Sequence, residues 1–272
     1  MKLLFLGTAA AEGIPALWCE CELCRAAARN GGHDLRRRCT YLLDDDTLID
    51  FGPDIFWQCT AFGIDLAKIR RIIVTHPHED HLNPRDLAWR RSGYSKVTKP
   101  VKLFGGSMVM KRILQENGME FSRIGVEPRQ LAHGEAVADG DLEILPLNAN
   151  HSPGLSPFIY VISRGGKKLL IGHDSGNFPE ETWRDLKGIR LDAAVLEATM
   201  GNLYPDAEKY HLGIHATVRV RDRLREIGCI GNATPVYVTH FSHNGGLSHR
   251  QLEEFFLPRD ITVAWDGLRC EI

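Results

Sequence analysis

Ile72-Ile73-Val74-Thr75-His76-Pro77-His78-Glu79-Asp80-His81 joins a short apolar run to a loop that carries three imidazoles and two carboxylates. The run reads as a strand and the loop as a metal site at its end. Three nitrogen donors and a carboxylate packed this closely suit a borderline-soft divalent ion, and one ion cannot easily take all four from so short a loop. Two ions are therefore expected. His76 and His78 are two positions apart, so they do not share a helix face as an i, i+4 pair does, and a strand-to-loop setting fits better. The rival reading is a solvated polar loop that carries histidines without using them. The crowding of three of the chain's 12 histidines into one hexapeptide weighs against it.

Further along, apolar runs end repeatedly in residues of ligand type. Leu142 to Leu147 runs into Asn148-Ala149-Asn150-His151, Leu169 to Gly172 into His173-Asp174, Ala193 to Leu196 into Glu197, and Val236 to Thr239 into His240. In a layered α/β fold the loops after the C-terminal ends of strands gather at one edge of the sheet, so these residues read as one constellation. His33, His133, His173 and His249 read as hydrogen-bonded structural histidines. Upstream, Lys2 to Leu6 is a buried strand, and Cys39 to Leu43 with Thr47 to Phe51 forms a hairpin turned by Asp44-Asp45-Asp46. Asp50 stands at the tip of its second strand. Helices are expected over 54 to 62, from Pro84, over Met108 to Asn117 with Gly118 as the stop, and over 211 to 228 with His211 near its start. Ser248-His249-Arg250-Gln251 has the form of a capping box, while 119 to 134 is the least legible stretch.

Cys19-Glu20-Cys21-Glu22-Leu23-Cys24 places three thiols within six residues, and a structural zinc would need a fourth donor from elsewhere. The alternative is three unligated thiols, or one local disulfide and a spare. The other four cysteines read as small buried thiols. Arg36-Arg37-Arg38 would either address a phosphate or flank a strand as a solvated run. Trp89, Arg90, Arg91 and Tyr94 would either cover the metal loop or pack on the surface.

With 272 residues and 43% hydrophobic content, the chain is expected to form one domain, 1–272. Lysine and arginine number 33 against 35 acids, which disfavours a dedicated nucleic-acid binder and favours a small substrate. The apolar start breaks at Gly7-Thr8, too early for a signal peptide, and no run approaches the roughly 20 apolar residues a membrane span needs. The odd cysteine count and the bunching of three of them point to a reducing cytoplasm.

These residues resemble the metallo-β-lactamase superfamily, whose H-x-H-x-D-H motif stands here as His76 to His81. The resemblance implies a four-layered αββα sandwich of α/β (α+β) class. It also implies a first metal on His76, His78 and His151, a second on Asp80, His81 and His240, Asp174 bridging them, and Asp50 as an acid beneath the site. Within the superfamily the chain is most similar to the cyclic-phosphate phosphodiesterases of the carbon-phosphorus lyase pathway. That likeness rests on Leu6 to Pro15, the cysteine cluster, the metal motif, Thr239-His240-Phe241-Ser242-His243, and Asp266-Gly267. It implies a structural zinc on Cys19, Cys21, Cys24 and His243, and a contact from His211 to the scissile phosphate, with His215 close enough in sequence to compete. Residues 82 to 100 do not line up with that family.

The function expected from the resemblance is a dinuclear phosphoric diester hydrolase. It would use two catalytic divalent ions, zinc or manganese, and a bridging hydroxide to open a small cyclic or linear phosphodiester such as a ribosyl 1,2-cyclic phosphate. Asp80, Asp174 and His211 would carry the catalysis. The alternatives are a thioester or amide hydrolase of the same fold, or a non-catalytic accessory protein of a biosynthetic pathway. The expected partner is a small-molecule phosphodiester, with nucleic acid disfavoured and no membrane, and a homodimer is admitted.

Overall fold

The computed structural model describes all residues from Met1 to Ile272. Its first half runs β1 (Lys2–Gly7), α1 (Glu22–Asn30), β2 (Thr40–Leu43), β3 (Thr47–Ile49), α2 (Ile55–Phe62), β4 (Arg71–Ile73), α3 (Pro84–Leu87), β5 (Val101–Gly105), α4 (Ser107–Asn117) and β6 (Val126–Gln130). The second half runs β7 (Val137–Asp139), β8 (Leu142–Asn148), β9 (Phe158–Arg164), β10 (Lys167–Gly172), α5 (Glu180–Leu186), β11 (Ala193–Glu197), α6 (Ile214–Glu226), β12 (Val236–Thr239), α7 (His249–Phe256), β13 (Thr262–Val263) and β14 (Arg269–Glu271).

These strands form two seven-stranded sheets, in the orders β14-β1-β2-β3-β4-β5-β6 and β13-β12-β11-β10-β9-β8-β7. Each half of the chain builds one sheet, and only β14 crosses back. The strands read as unbroken apolar runs because both of their faces are buried. Leu3, Phe5, Ile73, Leu169, Ile171 and Val195 point into the layer between the sheets. The alternate residues Leu4, Leu6, Ile72 and Val74 pack outward against α2 and α4. On the far side Leu170, Ala194 and Leu196 pack against Trp183 and Leu186 of α5, Val220 and Leu224 of α6, and Leu252 and Phe256 of α7. The result is the four-layered αββα sandwich.

β3 to β6 run parallel, and so do β10 to β13, whereas the hairpins β8-β9 and β9-β10 are antiparallel. Hence β3, β4, β8, β10, β11 and β12 all point their C-terminal ends at the same edge. At the opposite edge an ion network pins sheet to sheet. Arg164 of the second sheet lies 2.8 Å from Asp46 of the first, and the buried Arg71 reaches Asp46 at 3.0 Å and Asp139 at 2.6 Å.

Several elements are shorter than their sequence patterns. The apolar run read as a strand over Ile69 to Thr75 is extended only over Arg71–Ile73, and the helix expected from 211 begins at Ile214, leaving His211 in the preceding loop. The unread stretch after 118 holds β6, an edge strand whose alternation is diluted by Glu127, Arg129 and Gln130. The capping box forms at α7, with the Ser248 and Gln251 side chains each bonded to the other's backbone. No helix is long and apolar enough to cross a membrane.

Candidate metal centre

The common edge brings His76, His78, His151 and Asp174 together, with one ligand atom of each within 4.8 Å of the others. Asp80, His81, Asp174 and His240 form a second such group that shares Asp174. The first sheet therefore supplies the hexapeptide loop and the second supplies the three donors distant in sequence. The glycine at 52 is required by the close approach of the loop after β3, because a Cβ there would overlap the Asp80 carbonyl.

Asp50, Asp174 and His240 each follow the end of a strand, and each holds a left-handed backbone with φ of 63°, 54° and 56°. Such a conformation costs about 1 kcal/mol or more per non-glycine residue, so the packing around these positions enforces it. The turn aims each side chain back across the sheet edge instead of along the strand.

Hydrogen bonds fix how the rings face. His76 Nδ1 donates to Thr75 Oγ1 at 3.0 Å, and that hydroxyl donates onward to Asp50. His81 Nδ1 donates to Asp50 Oδ2 at 2.7 Å, and His240 Nδ1 to Thr199 Oγ1 at 2.8 Å. Holding the proton on Nδ1 turns the Nε2 lone pairs inward. There they converge at hydrogen-bond distances, but with the Nδ1 protons committed outward the facing Nε2 atoms of His81 and His240 have no proton to share. His76 Nε2 and His151 Nε2 lie 2.9 and 3.1 Å from His78 Nδ1, and His81 Nε2 lies 3.3 Å from His240 Nε2. Asp174 Oδ2 is 3.1 Å from His76 Nε2 and 3.0 Å from His81 Nε2, while Asp174 Oδ1 is buried without a hydrogen bond.

Converging lone pairs, a shared carboxylate and an orphaned buried oxygen fit cations of the zinc and manganese type. Burial and the neighbouring His81 push His76 down to about 4, so its lone pair is free at neutral pH. Burial opposes a charge on His81, yet Asp80 and Asp50 overcome it and raise His81 well above the usual imidazole range. The pocket thus demands positive charge at that point. Asp50 is itself fully buried and accepts from His81 and, at 3.1 Å, from His173, which is the structural role expected of the latter.

His211 lies beside this pair of pockets, with Nδ1 3.2 Å from both Glu197 Oε1 and Asp174 Oδ1. His215 is half exposed, faces Asp206 at 3.5 Å and stacks near Phe255, so His211 is the one that lines the site. Burial works to lower His211, but Glu197, then Asp174 and Asp80, lift it to about 9. Glu197 belongs to the strand-end constellation read from the sequence, but the sequence assigned it no metal or catalytic role. Its strand-end position was the available signal. Thr75 and Thr199, which orient two of the rings, carry no signal of their own.

Cys19, Cys21, Cys24 and His243 also converge. His243 Nδ1 lies 3.5 and 3.7 Å from the sulfurs of Cys19 and Cys21. Backbone amides of Ala16, Cys21 and Cys24 point at the three sulfurs, yet burial and the neighbouring sulfurs push Cys24 up to about 12, so the ionised thiol of the metal-free cluster is Cys21. Burial opposes ionisation of Cys21, but the Cys24 amide and His243 bring it down to about 6. All seven cysteines are free, so the local disulfide does not form. His243→Ala is expected to lower metal content by about one ion per chain and to reduce Tm by several degrees, read by elemental analysis and thermal unfolding. Unchanged stoichiometry would remove His243 from this site.

The remaining candidates are occupied elsewhere. Arg36 is buried on Thr8, Ala264 and His249, Arg37 pairs with Asp266 at 3.1 Å, and Arg38 pairs with Asp54 at 2.8 Å. Trp89 stacks near Tyr94, and with Arg90 it lines a separate cavity of about 430 Å³ over the outer face of the first sheet.

A family model described as the beta-lactamase superfamily domain matches residues 46–241. An octanoyltransferase of Porphyromonas gingivalis is 25% identical over the whole chain, which spans 52% of that protein's length. Among solved structures, a diphosphatase of the PhnP family superposes with a TM-score of 0.75 at 26% identity, covering 100% of this chain and 96% of that one. Zinc-bound PqqB of Methylobacterium extorquens (TM-score 0.78, 18% identity, 100% of each chain) and human short-form tRNase Z (0.67, 18%, 100% and 99%) share the fold. The chain belongs to the beta-lactamase superfamily, and its strand-end donors form two groups that could each hold a metal ion.

Proposed function

We propose that this hydrolase is a phosphodiesterase acting on a small cyclic or linear phosphodiester. The observation that carries the reading is the partly exposed His211 paired with the buried Glu197 and set against the shared carboxylate Asp174. A phosphodiester has an alkoxide leaving group that needs a proton, and a cationic imidazole at the rim of the donor pockets is placed to supply one. The likeness to the PhnP-family diphosphatase adds support.

His76, His78, His151 and Asp174 would hold one divalent ion, and Asp80, His81, His240 and Asp174 the other, with zinc or manganese as the proposed species. Such ions make water nucleophilic at neutral pH and offset charge on phosphoryl oxygens. The protein's own groups do the rest. Asp50, Thr75 and Thr199 hold the ring tautomers, Asp80 fixes the side from which water approaches, and His211 protonates the departing oxygen. Glu197 faces His211 rather than the donor pockets' centres, so it would keep that imidazole cationic after cations neutralise Asp80 and Asp174. Leu212 N and Thr199 N donate to its other oxygen at 3.2 and 3.1 Å, which locks it in place.

The test joins metal analysis of purified protein to a substrate panel. Expected are one ion for each donor cluster and turnover of cyclic phosphodiesters above octanoyl thioesters. Turnover of the thioesters alone would replace this reading with an acyl hydrolase. Salt-sensitive binding of RNA would instead favour a nuclease.

A further inference from the structure

We propose that the cavity over the outer face of the first sheet is a binding site for a medium-chain aliphatic carboxylate, separate from the metal centre. The cavity holds about 430 Å³, a volume within the range of small-molecule sites. Its walls run from Phe51, just beyond the C-terminal end of β3, to Ile69 and Val101 at the approach to β4 and the start of β5. The space therefore lies lengthwise along the strands. Leu48, Ile72 and Leu87 form its floor, and these buried branched side chains offer a guest no hydrogen bond. Such a floor accepts an alkyl chain and disfavours a sugar or a base, whose polar atoms would lie there unpaired.

Cations surround the other end. Arg70, Arg90, Lys96, Lys99 and Lys102 line the cavity together with three acids, Asp86, Glu127 and Asp139. Each acid is already engaged. Asp139 pairs with Lys102 and, at 2.6 Å, with Arg71, Asp86 accepts from Trp89 Nε1 at 3.2 Å, and Glu127 lies 3.7 Å from Arg129. Lys96 and Lys99 are thus left without a carboxylate. Arg90 Nη2 donates to the carbonyls of Lys99 and Gly125 at 2.9 and 3.2 Å, which fixes the guanidinium beside the residues that lead into β5 and β6. Its Nε is buried with no hydrogen-bond partner, and burial lowers the guanidinium pKa with no acid beside it to oppose the shift. A carboxylate held there would satisfy that donor and offset the charge of the two lysines. Its alkyl chain would then run toward Phe51 and Leu87. The headgroup would stand at the N-terminal ends of β5 and β6, away from the strand ends that carry the metal donors.

The test is calorimetric titration of the zinc-loaded full-length protein with decanoate. One site per chain is expected, with decanoate binding at least about tenfold more tightly than butyrate or 1-decanol. Butyrate carries the same headgroup and so controls for carboxylate binding at the metal ions, while decanol carries the chain without the charge. Ala67 is exposed and lines the cavity, so Ala67→Trp is expected to fill the space and weaken decanoate binding by at least about tenfold, with zinc content and turnover of bis(p-nitrophenyl) phosphate retained. Replacing Lys96 and Lys99 together by glutamine leaves the apolar wall intact and is expected to weaken decanoate but not decanol. Absence of decanoate binding to the wild type overturns the assignment. So does decanoate affinity that survives Ala67→Trp, which would seat the guest elsewhere, or decanol that binds as tightly as decanoate, which would remove recognition of the carboxylate.

Discussion

Asp80→Ala is expected to lower phosphodiester turnover by at least about a thousandfold, the upper range for loss of one preorganised charge-stabilising group. The fold should survive. Asp80 is buried, but it faces the cavity edge rather than the core between the sheets, and its main partner His81 stays anchored through Nδ1 to Asp50 at 2.7 Å. The variant should keep its far-ultraviolet circular dichroism and lose metal from the Asp80, His81, Asp174, His240 group. The companion group, with three histidines of its own, should retain its ion. Full activity in Asp80→Ala would remove the two-metal assignment. Collapse of both groups together would show that the shared Asp174 cannot be held by one ion.

His211→Ala should cost about 10² to 10⁴ in kcat on alkyl phosphodiesters, the range for a positioned proton donor. On p-nitrophenyl esters the loss should be less than about tenfold, because a stabilised phenolate departs without protonation. Glu197→Gln should reproduce the same dependence on leaving group in weaker form, since it removes the charge that holds His211 cationic. The contrast between the two substrate classes is what separates a proton donor from a residue that only shapes the pocket. An equal loss on both would reassign His211 to binding.

The fold was legible where burial on both faces left unbroken apolar runs, as in β1, β4, β10 and β11. It was not legible at β6, an edge strand whose polar residues erase the period, and at residues 82 to 100 only the helix start at Pro84 could be read, the rest being short turns and loop. The donor set could be read because each ligand type sits just past a strand, and position in the topology does not depend on distant contacts. Glu197 shared that position but not its recognised chemistry, because nothing local indicates that its carboxylate faces an imidazole fourteen residues away. Thr75 and Thr199 orient rings through hydroxyls whose further partners, Asp50 and His240, come close only by folding, so no spacing announces them.

The left-handed turns at Asp50, Asp174 and His240 have a consequence for how this site tolerates change. Glycine would relax the backbone at each position, yet glycine offers no donor. Aspartate and asparagine are among the few other residues that enter this conformation at modest cost, and only the former carries a charge. Selection for a sturdier chain and selection for a working site therefore pull on the same three codons in opposite directions. Stabilising substitutions gathered in a laboratory lineage that dispenses with activity should surface there first.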